Sequence, residues 1–169
     1  MSGRSDQRPF PHLSPSGEAR MVDVSGKDVT RRQATAAGMV RLSTDCVAAL
    51  RAGTVPKGDA LAVARIAGIQ GAKRTPELIP LCHPLMLSGV DVTAVVTDAG
   101  VELTATVTTT ERTGVEMEAL TAVSVAALAV IDMVKALDKL AVITDVRVVA
   151  KSGGRSGDWT REPSEKSAR

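Results

Sequence analysis

At 169 residues, 44% hydrophobic and 24% charged, the chain has the size and balance of one globular domain with its own core. One Phe (Phe10), one Trp (Trp159) and no Tyr exclude an interior or a binding face built on aromatics, so Ala, Val, Leu, Ile and Met must fill the core. The net charge of +2 comes from the ends, with three arginines against two acids over 1–20 and four basic groups against three over 152–169. The balanced middle argues against nucleic-acid binding, which draws on a basic face and stacking platforms.

In chain order, residues 1–17 are rich in Ser, Pro and Arg and read as a disordered arm. Met21–Val24 is a short strand candidate and Thr30–Leu42 a longer one. Ser43 can cap a helix that runs to about Arg51 and stops at Gly53. Lys57-Gly58-Asp59 leads into a second helix, Ala60 to about Lys73, where Gly68 and Gly71 weaken the helix and predict that another backbone packs close. Thr75-Pro76-Glu77 reads as an N-cap with proline in the first turn, followed by a single short turn. Pro80 and Pro84 bracket a stiff PLCHP loop. Val90–Thr97 and Val101–Thr108 alternate as strands about a turn at Asp98-Ala99-Gly100, a hairpin signature. The longest helix follows Gly114, from about Val115 to Lys139, and Val142–Ala150 closes the domain as a strand. Residues 152–169 read as a flexible tail. This order predicts an α+β domain over 18–151, with helices on one face of a mainly antiparallel sheet.

Cys46 and Cys82 suit two free thiols in a reducing compartment better than a disulfide framework. The first residues lack the basic-then-apolar pattern of a secretion signal. The longest unbroken apolar run, Val125–Ile131, falls far short of the roughly 20 residues that span a bilayer. The expectation is a cytoplasmic protein with no membrane partner.

Chemistry could sit in three places, and each has a plainer reading. The long helix is almost wholly apolar except for a stripe of Glu118, Thr121, Ser124, Asp132, Lys135 and Lys139. This is either a solvated face, with Asp132 and Lys135 an i,i+3 ion pair, or a polar line on a helix buried between subunits. In the second case a desolvated Lys135 could exchange protons near neutral pH. His83, held between Cys82 and Pro84, is either a structural histidine or a site residue. A closed zinc site is disfavoured, because no second Cys/His pair accompanies Cys82 and His83. Arg32, Lys57, Arg65, Lys73, Arg74 and Lys151 are either ordinary surface charge or anion ligands, and Lys57-Gly58 stands where a helix begins and free N–H groups favour anions. The run KSGG at 151–154 lacks the spacing of a phosphate loop.

Taken together, MVDVS (21–25), KGD (57–59), ARIAGIQGAKRTPELIPLCHPL (64–85), TGVEMEALTAVSVAALAVIDMVKA (113–136) and AKSGG (150–154) resemble the MoaC family of cyclic pyranopterin monophosphate synthases over about residues 18–158. The resemblance implies a ferredoxin-like fold and a homo-hexamer, a trimer of dimers. It implies conversion of a GTP-derived triphosphate, (8S)-3′,8-cyclo-7,8-dihydroguanosine 5′-triphosphate, to cyclic pyranopterin monophosphate with release of diphosphate, in molybdenum cofactor biosynthesis. It implies no metal and no organic cofactor. By the same resemblance Asp132 and Lys135 are catalytic and Lys57 is the lysine of the KGD motif, a candidate general acid. Leu81, Cys82, His83, Met117 and Glu118 correspond to substrate segments, and Arg32, Lys73, Glu116 and Lys151 stand at further substrate positions.

Helix geometry adds a constraint of its own. Met117 and Asp132 are 15 residues apart, about 22 Å along a helix axis, too far for one compact pocket. The expectation is a site at a subunit boundary, with Asp132 and Lys135 from one chain and the Met117-Glu118 end from its neighbour. The alternatives are a non-catalytic oligomeric scaffold, or a phosphate-ligand binding module, of the same fold.

Overall fold

The structure, a computed structural model, describes residue 16, residues 18–155 and residues 157–162. Five strands and four helices follow in the order β1 (Thr30–Arg41), α1 (Thr44–Ala52), α2 (Ala60–Lys73), α3 (Thr75–Leu78), β2 (Leu87–Thr97), β3 (Gly100–Glu111), α4 (Glu116–Val134), β4 (Val142–Ser152) and β5 (Trp159–Thr160). All pairings are antiparallel, in the sheet order β2-β3-β1-β4-β5. The architecture is the α+β, ferredoxin-like arrangement expected from the sequence.

Strand periodicity sets which face is covered. Ala34, Ala36, Gly38 and Val40 of β1 lie opposite Val107, Ala105, Leu103 and Val101 of β3 and are buried with them. The other face carries Thr35, Ala37 and Met39 against Thr106, Thr104 and Glu102, and is wetter, with a Thr35–Thr106 hydroxyl pair at 3.0 Å. α4 lies on the buried face, contributing Ala119, Ala122, Val123, Ala126, Ala127, Val130 and Val134 at 0% exposure. Each fully buried valine contributes on the order of 1.5–3 kcal/mol of transfer free energy, so this helix anchors the core. By length and composition α4 could cross a membrane, unlike the seven-residue apolar run on which the sequence reading relied. Its burial against sheet and helix marks it as a core helix.

Local signals explain the other helices. Ser43, extended at φ −64° and ψ 155°, accepts the Cys46 N–H to start α1, and Gly53 at φ 67° ends it. Asp59 starts α2 by accepting the Ala62 N–H at 2.9 Å. α2 then runs antiparallel to α4. Ala60 sits in a small cluster with Cys46, Val55, Met133 and Val134, whereas Gly68 and Gly71 lie over Ala122, Val125 and Ala126.

Four local expectations are corrected. Met21–Val24 forms no strand; its residues line a cleft described below. Thr75 is the first residue of α3 rather than its cap, and its hydroxyl donates back to Ala72 O at 3.0 Å. α4 ends at Val134, so Lys135 and Lys139 lie beyond it in turns; past that end the Asp138 carboxylate takes a backbone site described below. The segment expected as a flexible tail returns to the sheet as β5, where Trp159 pairs with Lys151 and stacks under the Arg161 guanidinium at 5.4 Å from its centroid. The expected N-terminal arm, 1–17, lies outside the described residues except for Ser16.

A side chain at Gly68 would meet the Ala122 carbonyl oxygen at 2.9 Å, with Ala126 and Val92 both at 3.2 Å. Gly→Ala in an open helix gains about 1 kcal/mol. Here the obstacle is backbone, and overpacking costs about 1–3 kcal/mol. The balance of the two is a loss of up to about 2 kcal/mol in urea unfolding for Gly68→Ala; a stabilised variant would show that α2 and α4 do not pack this closely.

Candidate active site

Both ends of α4 carry polar groups, and the two ends differ in kind. At the C-terminal end the Asp132 carboxylate is gripped by two lysines. Lys135 Nζ reaches Oδ1 at 2.8 Å, and Lys57 Nζ reaches Oδ2 at 2.8 Å and the Asp132 carbonyl, also at 2.8 Å. Lys57 arrives from the loop between α1 and α2, which Val55 pins against Met133 and Val134. The cluster is open to solvent, with side-chain exposures of 42% for Lys57, 56% for Asp132 and 61% for Lys135. Within one chain Lys135 is thus not the desolvated lysine that one reading of the sequence entertained. The hydrogen bond from Lys135, then that from Lys57, holds the Asp132 carboxyl down to about 2 from the ordinary 3.8.

At the N-terminal end Leu81, Cys82, His83, Glu116, Met117 and Glu118 line one cleft of about 280 Å³. His83 is held by its Nε2–H, which donates to Val22 O at 2.8 Å; the acceptor is a carbonyl, so Nε2 carries the proton. Glu118 is 3% exposed. Burial pushes its carboxyl up, and the neighbouring Glu116 charge adds to the rise, against the pull of a backbone hydrogen bond. Burial likewise raises the Cys82 thiol, with the Glu118 charge second, so Cys82 is a poor nucleophile at neutral pH.

A second hollow of about 200 Å³ adjoins this cleft through Thr113, Gly114 and Glu116, and is lined by Arg32, Lys151 and Gly153. Lys151 pairs with Glu116 at 3.1 Å, and Arg32 donates to Glu111 O at 3.0 Å. Gly154 matters for this geometry, because a side chain there would strike the Arg32 guanidinium. Lys73, exposed in the last turn of α2, lines neither hollow.

The site residues that the resemblance implied therefore fall into two groups, Lys57, Asp132 and Lys135 at one end of α4 and the remainder, apart from Lys73, at the other. Sequence reasoning missed Lys27 and Thr113, which also line the first cleft. Thr113 lay inside a recognised string but carried no chemical signal of its own, and Lys27 stood in a loop with none. Among the described residues, no three His, Cys, Asp or Glu side chains converge as metal ligands would.

A sequence model described as the MoaC family matches residues 21–154. The chain belongs to the MoaC family. A cyclic pyranopterin monophosphate synthase of Streptomyces coelicolor is 68% identical to this MoaC-family chain over 160 residues, 95% of this chain and 94% of that one. One from Nocardioides sp. is 66% identical over 91% of this chain and 96% of its own. Cyclic pyranopterin monophosphate synthase 2 of Mycobacterium bovis is 57% identical over 95% and 97%.

A carboxyl lowered by lysine contacts favours its charged form, so the ion pairs at Asp132 are fully present above pH 3.8 and are lost as pH falls through about 2. In Lys135→Ala the Asp132 carboxyl is expected to titrate above about 2 but still below 3.8, because Lys57 remains. A ¹³C titration of the carboxyl carbons measures this; an unchanged value would mean that Lys135 does not touch Asp132 in solution.

Proposed function

We propose that this chain is a cyclic pyranopterin monophosphate synthase of molybdenum cofactor biosynthesis. It converts (8S)-3′,8-cyclo-7,8-dihydroguanosine 5′-triphosphate to cyclic pyranopterin monophosphate and releases diphosphate. The observation that carries the reading is the Asp132 carboxylate clamped by Lys57 and Lys135, at one end of a helix whose other end opens on a cleft with a buried Glu118 and a tethered His83. Cyclic pyranopterin monophosphate synthases at 57–68% identity support it.

In this reading the basic groups take the phosphates. Arg32 and Lys151 stand together in the second hollow, and Lys73 serves from a neighbouring surface. Lys57 and Lys135 move protons as the purine and ribose-derived parts rearrange, and Asp132 holds them aimed. Leu81, Cys82, His83, Met117, Glu118 and Glu116 receive the ring system. The chemistry needs no metal and no organic cofactor. The catalytic unit is one domain, residues 18–151, extended by β5, and the protein works in the cytoplasm without nucleic-acid or membrane partners.

The two groups lie about 22 Å apart along α4, at 1.5 Å per residue. The complete site is therefore a shared one, with Asp132 and Lys135 of one chain facing the cleft of its neighbour in a homo-hexamer built as a trimer of dimers.

Incubation of the purified protein with the cyclised GTP derivative is expected to yield the pterin monophosphate and diphosphate, and Lys135→Ala is expected to lose at least about 10²-fold in kcat/KM. Folded, hexameric protein without turnover would favour the scaffold reading. Asp132→Ala and Glu118→Ala should each be nearly inactive, and mixing them under conditions of subunit exchange should restore roughly a quarter of the sites. Proven exchange without recovery would place both groups in one chain's site.

A further inference from the structure

Asp138 is 6% exposed, one of the few buried charged groups, and stands three residues past Lys135. Both its oxygens accept backbone N–H groups: Oδ2 takes Ser43 N at 2.6 Å and Oδ1 takes Leu140 N at 2.9 Å. The turn that carries it is tied to the last helical residue, with Leu137 N and Asp138 N donating to Val134 O at 2.8 and 3.0 Å. Ser43 is the residue that caps α1. One carboxylate therefore fastens the start of α1 to the turn in which α4 ends.

Those are the elements that deliver the lysine clamp. α1 leads through Gly53 to the loop of Lys57, and the turn after α4 begins with Lys135. Among the described residues, the hydrogen bonds that join residues 43–59 to residues 132–140 are Ser43–Asp138 and the Lys57 contacts to Asp132. The Lys57 contacts are exposed, and exposed ion pairs fix geometry weakly because solvent screens them and both side chains lose rotamer freedom. The register of the clamp rests on what lies beneath it: the packing of Val55 on Met133 and Val134, and one buried polar link, Asp138.

We propose that Asp138 is a positioning residue: it locks the turn after α4 against the N-terminus of α1, so that Lys57, Asp132 and Lys135 meet the substrate in fixed register. The proposal rests on the reading of that clamp as the proton-handling end of the site. A displacement of about 1 Å at a reacting group can cost on the order of 10²-fold in rate. The Leu81–His83 and Glu116–Glu118 cleft, at the far end of α4, is untouched by Asp138 and keeps its hold on the substrate.

The test uses the full chain with Asp138→Ala and the near-isosteric Asp138→Asn, which keeps one acceptor oxygen. Turnover of the cyclised GTP derivative is measured at a temperature where circular dichroism shows each variant folded. The expected result is a fall in kcat of about 10²-fold for Asp138→Ala, a smaller fall for Asp138→Asn, and KM within about threefold of the parent in both. A residue that merely stabilised the fold would lower the melting temperature and leave kcat of the folded protein unchanged; that outcome overturns the proposal, as does a loss in KM equal to that in kcat. If Asp138→Ala does not fold, Asp138→Asn decides alone, and failure of both to fold assigns Asp138 a structural role and overturns the proposal. Asp132→Asn runs beside them. Normal kcat in that variant overturns the reading of the clamp and this proposal with it, whereas an inactive Asp132→Asn beside a fully active Asp138→Ala overturns this proposal alone.

Discussion

α4 is buried at a distance from α2 that a side chain larger than hydrogen at Gly68 would not allow without a shift of backbone. Gly68 faces the Ala122 carbonyl, and Gly71 lies over Val125. Beneath α4, Gly38 of β1 leaves room for Val123 in the same way, since a side chain there would meet Val123 at 2.7 Å. The helix is thus gripped from above and below by backbone, where rotamer changes cannot absorb a displacement. A core without aromatics has little bulk with which to space its layers, so close backbone contact takes the place of large side chains. The helix that results is apolar, and its 19 residues carry charge only at its two ends.

One helix consequently carries two carboxylates in opposite environments. Glu118, in the first turn, is enclosed, and its charged form is disfavoured by burial. Asp132, in the last turn, lies in water between two ammonium groups, and its charged form is favoured by them. Neither arrangement is what the helix alone would dictate, because a carboxylate gains from the positive N-terminus of a helix and is opposed by the negative C-terminus. At Asp132 the two lysines outweigh that opposition. At Glu118 desolvation outweighs the favourable dipole. Pairs of acids pushed in opposite directions are a mark of sites where proton positions matter.

The fold was legible where periodicity or capping chemistry was local. The β2–β3 hairpin, the Ser43 and Gly53 ends of α1, and the close packing announced by Gly68 and Gly71 could all be read from neighbouring residues. Features that depend on distant partners could not. Met21–Val24 alternates like a strand, yet it runs beside the cleft, where the Val22 carbonyl is taken by His83 rather than by a sheet neighbour. β5 is two residues long and exists because β4 offers Ala150 and Lys151 an open edge. The pattern that suggested a helix to Lys139 stops at Val134, and beyond it the Asp138 carboxylate accepts the N–H of Ser43, the cap of α1, a contact 95 residues away in sequence. At the site, the residue types at Asp132, Lys135 and His83 drew notice by themselves, but the division into an exposed clamp and an enclosed cleft required the three-dimensional arrangement. Asp138 drew none, since an acid in a turn is ordinary.

The state of Asp132 limits what it can do. A carboxyl held at about 2 is ionised at neutral pH in all but roughly one molecule in 10⁵. It is therefore not a resting proton donor, and as a base it is weak, because the same lysines that stabilise its charge oppose its protonation. Its usefulness lies in the reverse direction. A carboxylate 2.8 Å from both Lys57 Nζ and Lys135 Nζ fixes where their remaining N–H bonds point. In the proposed reading proton transfer falls to the lysines, at a clamp whose rigidity depends on how far it is removed from water. In the single chain it is wet. In the proposed shared site, a neighbouring surface over Asp132 would bring the cleft within reach of the clamp and shield its ion pairs from the solvent that loosens them.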